Sequence, residues 1–406
     1  DNTAYAATAR PLLAYLRAAG VDLRTRDIGW SQQSALLRPS DEDVLGATGW
    51  KAAPAGGIYV WNTLPRYIEP APNAVNVARV MLDEAPPHPE DVERWAAMDL
   101  LWVPSQRDEE RLSKVLPAEK LRLLPELIDL ASFQGNTAPV AVDAGQRFTF
   151  LSIVEWTAAQ GADAVVQAFL DEFRAADGVS LLLLLDAADA SLAQAATNDV
   201  RTMIARSRHP QDPPPVTIHF EVADMQLPSF FASAAAYLQV PRETRWNRRV
   251  LEAAASHLPL IATDSLANQT FLSRENSYVV ARTAAQPMPA PNQSNWRRGE
   301  RWLEPSKADL QAQLRHVVQD RDKARRRANA AYAAIAQFDT GKVGPLLLRL
   351  LAEAGSMVPR ANAATPASTG QGRPARGAAL NTRAPSSEDE LMGSEVRRAA
   401  AAARAG

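Results

Sequence analysis

The sequence predicts an α/β protein of two Rossmann-like, doubly wound, mostly parallel sheets, followed by a disordered C-terminal tail. Three observations lead there. From Arg147 onward, apolar runs of strand length alternate with amphipathic runs of helix length, the pattern of parallel strands joined by crossover helices. The first 135 residues show the same alternation less regularly. The chain has 406 residues, more than one ordinary domain holds.

Residues 8–19 read as an amphipathic helix stopped by Gly20, with Thr8 as a capping residue and Pro11 in the first turn. Residues 21–25, 57–61, 77–82 and 100–103 are strand candidates, and residues 106–116 form a charged helix. Around residues 136–146 the composition turns small and polar, which marks a linker.

In the second half, residues 147–154, 179–185, 216–222, 235–240 and 259–263 read as buried strands. Residues 161–176, 191–207, 226–233 and 246–257 lie between them as helices. Residues 283–295 are rich in Pro, Ala and Asn and read as a loop. A long charged helix is expected over 306–337 and an amphipathic one over 343–353. The domain assignment is therefore 1–135, a linker at 136–146, a second domain at 147–338, a terminal helix at 339–355 and a tail at 356–406. The tail has almost no large apolar side chains to offset the entropy of ordering.

Composition closes off several classes. The chain has no cysteine, which excludes disulfides, zinc-thiolate sites and cysteine nucleophiles. The formal net charge is −2, so no global basic field points to nucleic acid. No apolar run reaches the roughly 18–20 residues of a membrane span. The five histidines are scattered without ligand spacing, and no metal site is expected.

The order of motifs from about Ala6 to Glu353 resembles the family-4 retaining glycosyltransferases of the GT-B architecture. In the first half, the run Arg79 to Glu84 ends a strand. Asp99, Trp102, Val103, Pro104 and Ser105 follow in the family's "D-x-x-W-V-P-S" arrangement. Pro125, Ile128, Asp129 and Phe133 resemble its passage into the second domain, with Leu127 where a glycine is usual; leucine resists a positive φ, so a different local turn is expected. In the second half, residues 148–154 and the loop to Gly161 resemble the first strand and its turn. The segment from Pro241 to Glu252 resembles the family's "E-G-W-G-x-P-x-x-E-A" element.

The resemblance implies two domains facing across a cleft, with a nucleotide-diphosphate sugar as co-substrate and no cofactor or metal. The acceptor would be a glycan, a lipid or a small molecule. Donor contacts carry over to Gln160, Gly161, Arg245, Trp246, Asn247, Arg248, Val250, Leu251 and Glu252, with Glu252 at the ribose-binding glutamate. The sugar-contacting role falls on Thr244, or on Glu243 one residue upstream. Glu84, at a strand C-terminus, is the acceptor-side or interdomain candidate, with a cap or salt-bridge role as the alternative.

The sequence also departs from the pattern. The Arg-Lys pair that holds the donor diphosphate is replaced by Ala159 and Gln160, and the first glutamate by Thr244. Arg242, Arg245, Arg248 and Arg249 cluster in the same segment, as replacement cations or as a solvated rim. Two functional readings therefore stand. One is a retaining glycosyltransferase; the other is a catalytically inactive relative that binds a glycan, a nucleotide or a partner protein. A third, an unrelated doubly wound protein, would be favoured by Glu84 and Glu252 lying on opposite sides of the molecule. The expected location is cytoplasmic, with peripheral membrane association left open. The sequence enters near the loop that follows the family's first strand, so it is expected to be a fragment.

Overall fold

The computed structural model describes residues 4–25, 56–84, 86–134, 137–140, 148–185, 190–220, 226–242, 246, 248–265, 267–287 and 301–357, all within one folded unit. The tail beyond residue 357 and most of the linker lie outside the described residues.

The first sheet contains β1 (Ile58–Trp61), β2 (Val75–Arg79), β3 (Leu100–Val103) and β4 (Leu121–Leu123), parallel and in chain order. One face is covered by α1 (Ala4–Ala18) and by α10 (Thr340–Gly355), which returns from the far end of the chain. The other face packs on α2 (Pro89–Ala96) and α3 (Gln106–Leu112) through Trp95, Met98 and Leu112.

The second sheet has six parallel strands: β5 (Phe148–Val154), β6 (Val179–Leu185), β7 (Val216–Phe220), β8 (Ala236–Gln239), β9 (Leu260–Thr263) and β10 (Tyr278–Val280). Their spatial order is β10-β9-β8-β5-β6-β7, the dinucleotide-fold order with its reversal between β5 and β8. Side chains alternate between the two faces and both faces are buried. Phe148 and Phe150 pack on α4 (Ala162–Glu172) and α8 (Lys307–Gln319). Leu151 and Ile153 pack toward α6 (Leu227–Ala232), α7 (Arg248–Ala255) and α9 (Arg321–Ile335). Double-sided burial explains why these strands read as unbroken apolar runs. Between β6 and β7 lies α5 (Ala190–Arg206).

Two segments cross between the domains side by side. Ile128 N–H donates to the Phe338 carbonyl (3.0 Å) and Thr340 N–H to the Ile128 carbonyl (2.9 Å). Ile128 and Leu130 enter the core of the second domain.

Several sequence expectations are corrected. The first helix starts at Ala4, so Thr8 is not its cap and Pro11 lies inside it. The Thr8 carbonyl in this helix accepts from Arg79 Nη1 at 3.3 Å. Residues 21–25 are not a strand. The short strand β4 lies just before Pro125, where the sequence reading assigned none. The expected loop over 283–295 begins as β11 (Arg282–Pro287), paired antiparallel with β12 (Arg301–Pro305). The single helix expected over 306–337 breaks at Asp320, whose carboxylate caps the second piece by accepting from Lys323 N–H at 2.9 Å.

Candidate functional site

The crevice opens where β5 and β8 part, the place where doubly wound sheets bind ligands. After β5 the chain turns through Gly161, which caps α4 with φ of +69°. A Cβ there would lie 2.2 Å from the Val240 carbonyl oxygen. Glycine is therefore required twice over, by its backbone conformation and by the approach of the segment after β8.

That segment is laced to the turn. Arg242 N–H donates to the Ala159 carbonyl (2.9 Å) and its Nη1 to the Ala158 carbonyl (2.6 Å). The same guanidinium grips Asp163 in the first turn of α4 at 2.6 and 2.8 Å. It also meets Glu304 of β12 through Nε at 2.7 and 2.9 Å, and it covers the Trp302 ring. Burial works against the charge on Arg242, but the hydrogen bonds it donates to Asp163 and Glu304 outweigh it and hold the guanidinium more firmly protonated. Within the core beside the turn, Tyr237 Oη donates to Gln239 Oε1 (2.6 Å), and Gln239 Nε2 donates to Gln160 Oε1 (3.3 Å). Burial pushes the Tyr237 hydroxyl far up, so it stays a donor.

A second cluster sits on α7. Glu252 is buried, and its oxygens accept from Arg248 Nε and Arg249 Nη1, both at 2.8 Å. Arg248 also reaches the Leu127 carbonyl of the first domain at 3.0 Å. Leu127 is buried in the first core and has no positive φ, so the crossing turns differently from a glycine-bearing one. Beside it, Glu126 and Arg79 form a fully buried ion pair. Burial raises the Glu126 carboxyl above its usual range, against the pull of Arg79 and Arg248.

The third group ties the domains together at the sheet edge. Arg282 at the start of β11 holds both oxygens of Glu84, at 2.6 and 2.8 Å. Arg107 of α3 donates to Gln269 at 2.8 Å. Glu84 is thus an interdomain salt-bridge residue, and Glu252 is joined through Arg248 to the Leu127 carbonyl of the first domain.

Gln160 and Gly161 lie in the turn after β5, and Arg248 and Glu252 pair on α7. Val250 and Leu251 send their side chains into the core, so only their backbone could serve a ligand. Trp246 is packed between Phe271 and Phe338, each 5.7 Å away between ring centroids. It is a core residue rather than an exposed donor-site side chain, because those two partners come from distant segments. Arg242, Arg248 and Arg249 form no solvated rim, since each is held by carboxylates. Glu243, Thr244, Arg245 and Asn247 lie outside the described residues.

Sequence reasoning missed Arg79, Glu126, Tyr237 and Gln239. Charged or polar residues inside otherwise apolar runs were the available signal, since such groups are buried only with partners.

These features define the class: the chain has the GT-B fold, two parallel-sheet α/β domains with a cleft between them and a terminal helix returning to the first. Among solved structures it is similar to Anabaena HepE in complex with UDP (TM-score 0.52, 15% identity, covering 69% of this chain and 72% of that one). It is also similar to a glycosyltransferase from Rickettsia africae (TM-score 0.52, 14% identity, 87% and 82% covered). A third likeness is to the pneumococcal O-GlcNAc transferase GtfA with UDP and GlcNAc (TM-score 0.50, 14% identity, 73% and 56% covered). At these identities the likeness is one of fold. No family model and no curated protein matches the sequence. Among the described residues, no helix is long and apolar enough to cross a membrane.

Proposed function

We propose that the chain is a family-4-like glycosyltransferase that moves a sugar from a nucleotide-diphosphate donor to a glycan, lipid or small acceptor with retention. The observation that carries this reading is the gathering of Glu252, Arg248 and Arg249 on α7, with Arg249 and Glu252 in electrostatic reach of Tyr237, whose hydrogen bonds run through Gln239 to Gln160 in the Gly161 turn. A carboxylate has about four acceptor positions. The two arginines occupy one on each oxygen of Glu252, which leaves room for ribose hydroxyls. Arg248 and Arg249 would then face the diphosphate in place of the cations missing at Ala159 and Gln160. The N-termini of α4 and α7 add partial positive charge to the leaving group. This scheme uses side-chain cations and helix termini and calls for no metal. Thr244 or Glu243 would contact the transferred sugar, and Glu84 with Arg282 would hold the acceptor-side edge of the cleft.

A second reading has its own observation. Arg242, the cation nearest the Gly161 turn, is taken up by Asp163 and Glu304, so that turn offers a diphosphate no free charge from it. A protein built this way would bind a nucleotide, a glycan or a partner without turnover.

Calorimetric titration of UDP and then GDP, with a donor-hydrolysis assay, separates the readings. Micromolar binding that weakens at least about tenfold in Glu252→Ala, with turnover, is the expected result; the magnitude follows from losing hydrogen bonds to a charged acceptor. Binding without turnover of any donor favours the second reading. No binding to folded protein would remove the nucleotide site altogether.

A further inference from the structure

The guanidinium of Arg248, at the start of α7, belongs to both domains at once. Its Nε donates to Glu252 Oε1 at 2.8 Å, within the second domain. Its Nη1 donates to the Leu127 carbonyl at 3.0 Å, in the first. The side chains of Arg248 and Glu252 are only 14% and 5% exposed, so solvent screens the contact little. Leu127 is buried in the core of the first domain, which fixes where its carbonyl stands.

The residues on either side of Leu127 make this contact more than a surface bond. Ile128, the next residue, is where the two crossing segments are joined. Its N–H donates to the Phe338 carbonyl, and its carbonyl accepts from Thr340 N–H and, at 3.1 Å, from Thr340 Oγ1. Glu126, the residue before, is buried against Arg79, and its Oε2 has no hydrogen-bond partner. After Arg79, Arg248 is the cation that acts on that carboxylate. Arg248 thus faces one carboxylate in each domain and holds the crossing between them. A guanidinium is a rigid planar fork. A shift of the Glu252 carboxylate that turns the Nε end therefore also moves the Nη1 end on the Leu127 carbonyl.

We propose that Arg248 is a positioning residue that couples occupancy of the Glu252 cluster to the crossing between the domains. A ligand held at Glu252 tightens the crossing, and by reciprocity a tightened crossing holds the ligand better. The proposal rests on the reading of α7 as the donor-binding element.

Hydrogen exchange at the Ile128 and Thr340 amides of the full chain is followed without nucleotide and with saturating UDP, beside calorimetry on the same samples. The proteins are wild type, Arg248→Met, Arg248→Lys and Arg249→Met, with circular dichroism confirming the fold. Arg248→Lys keeps the charge without the fork, and it carries the comparison if Arg248→Met does not fold. Arg249→Met removes the cation on the other oxygen of the same carboxylate. The expected result is that UDP slows exchange at both amides about tenfold in wild type and in Arg249→Met. In Arg248→Met and Arg248→Lys, each brought to saturation, the slowing is less than about twofold. An Arg248 that only stabilises the fold would speed exchange in the free variants and leave the UDP-dependent slowing intact, and that outcome overturns the proposal. Slowing in Arg248→Lys equal to wild type overturns it as well, since charge alone would then suffice. Loss of the slowing in Arg249→Met would assign the coupling to the whole cluster and not to Arg248. UDP binding to wild type without any change at these amides overturns the coupling while the nucleotide reading stands. No UDP binding to folded wild type removes both.

Discussion

On either side of Trp246 lie two ion clusters built in opposite proportion. In one, a single cation, Arg242, is held by two carboxylates, Asp163 and Glu304. In the other, a single carboxylate, Glu252, is held by two cations, Arg248 and Arg249. The first sits at the Gly161 turn and ties three separate segments together, so its geometry is that of a staple. The second sits at the start of a helix and reaches across to the first domain through Arg248. Homologous position therefore does not assign role: the cation nearest the expected diphosphate turn is held by two carboxylates, and the two cations that share one carboxylate lie one helix away.

The largest expected effect comes from breaking the turn that organises the crevice. Gly161→Ala would force a Cβ against the Val240 carbonyl at a positive φ, and should destabilise by about 3 kcal/mol or more. A chemical-denaturation midpoint unchanged from wild type would show that the approach of β8 to the turn is not rigid.

Next comes a direct test of the asymmetry. Arg242→Met leaves Asp163 and Glu304 without their shared cation, and should cost about 2 kcal/mol after discounting for the half-exposed Asp163. Arg249→Met leaves Glu252 with Arg248 and should cost less than about 1 kcal/mol. Equal losses in the two variants would erase the distinction between the two clusters.

The smallest effect is a slope. Burial raises the Glu126 carboxyl above its ordinary value of 4.5. The folded protein then binds more protons than the unfolded chain between that value and the raised one. The stabilisation is complete below the unfolded value and is lost as pH rises through the folded one. Stability measured from about pH 5 to about pH 8 should therefore fall in wild type relative to Glu126→Gln. Parallel curves would mean that the Arg79 charge cancels the burial.

Much of the second domain was legible in the sequence. The run over 179–185 coincides with β6, and the other four strand assignments fall within one or two residues of β5, β7, β8 and β9. Strands buried on both faces leave an apolar signature that needs no partner to be read. The first domain was less legible because its elements are short and depend on distant partners. The strand β4 has three residues, and its domain is completed by α10 from the other end of the chain. The hairpin β11–β12 escaped notice for the same reason, since its ladder joins residues across a long insertion. At the site, Gly161 and Glu252 could be placed by motif, whereas the pairing of Glu84 with Arg282 and of Arg79 with Glu126 could not.

The sequence by itself determined the alternation of strand and helix, the glycine at the first turn of the second sheet, and the absence of cations at positions 159 and 160. Those properties are local, set by side-chain period and by residue identity. Only the tertiary structure decided which arginine meets which carboxylate, that Trp246 belongs to the core, and that the domains are joined by ion pairs at Glu84 and hydrogen bonds at Leu127. Ion-pair partners far apart in sequence are chosen by where the sheets place their ends, and no local pattern encodes that choice.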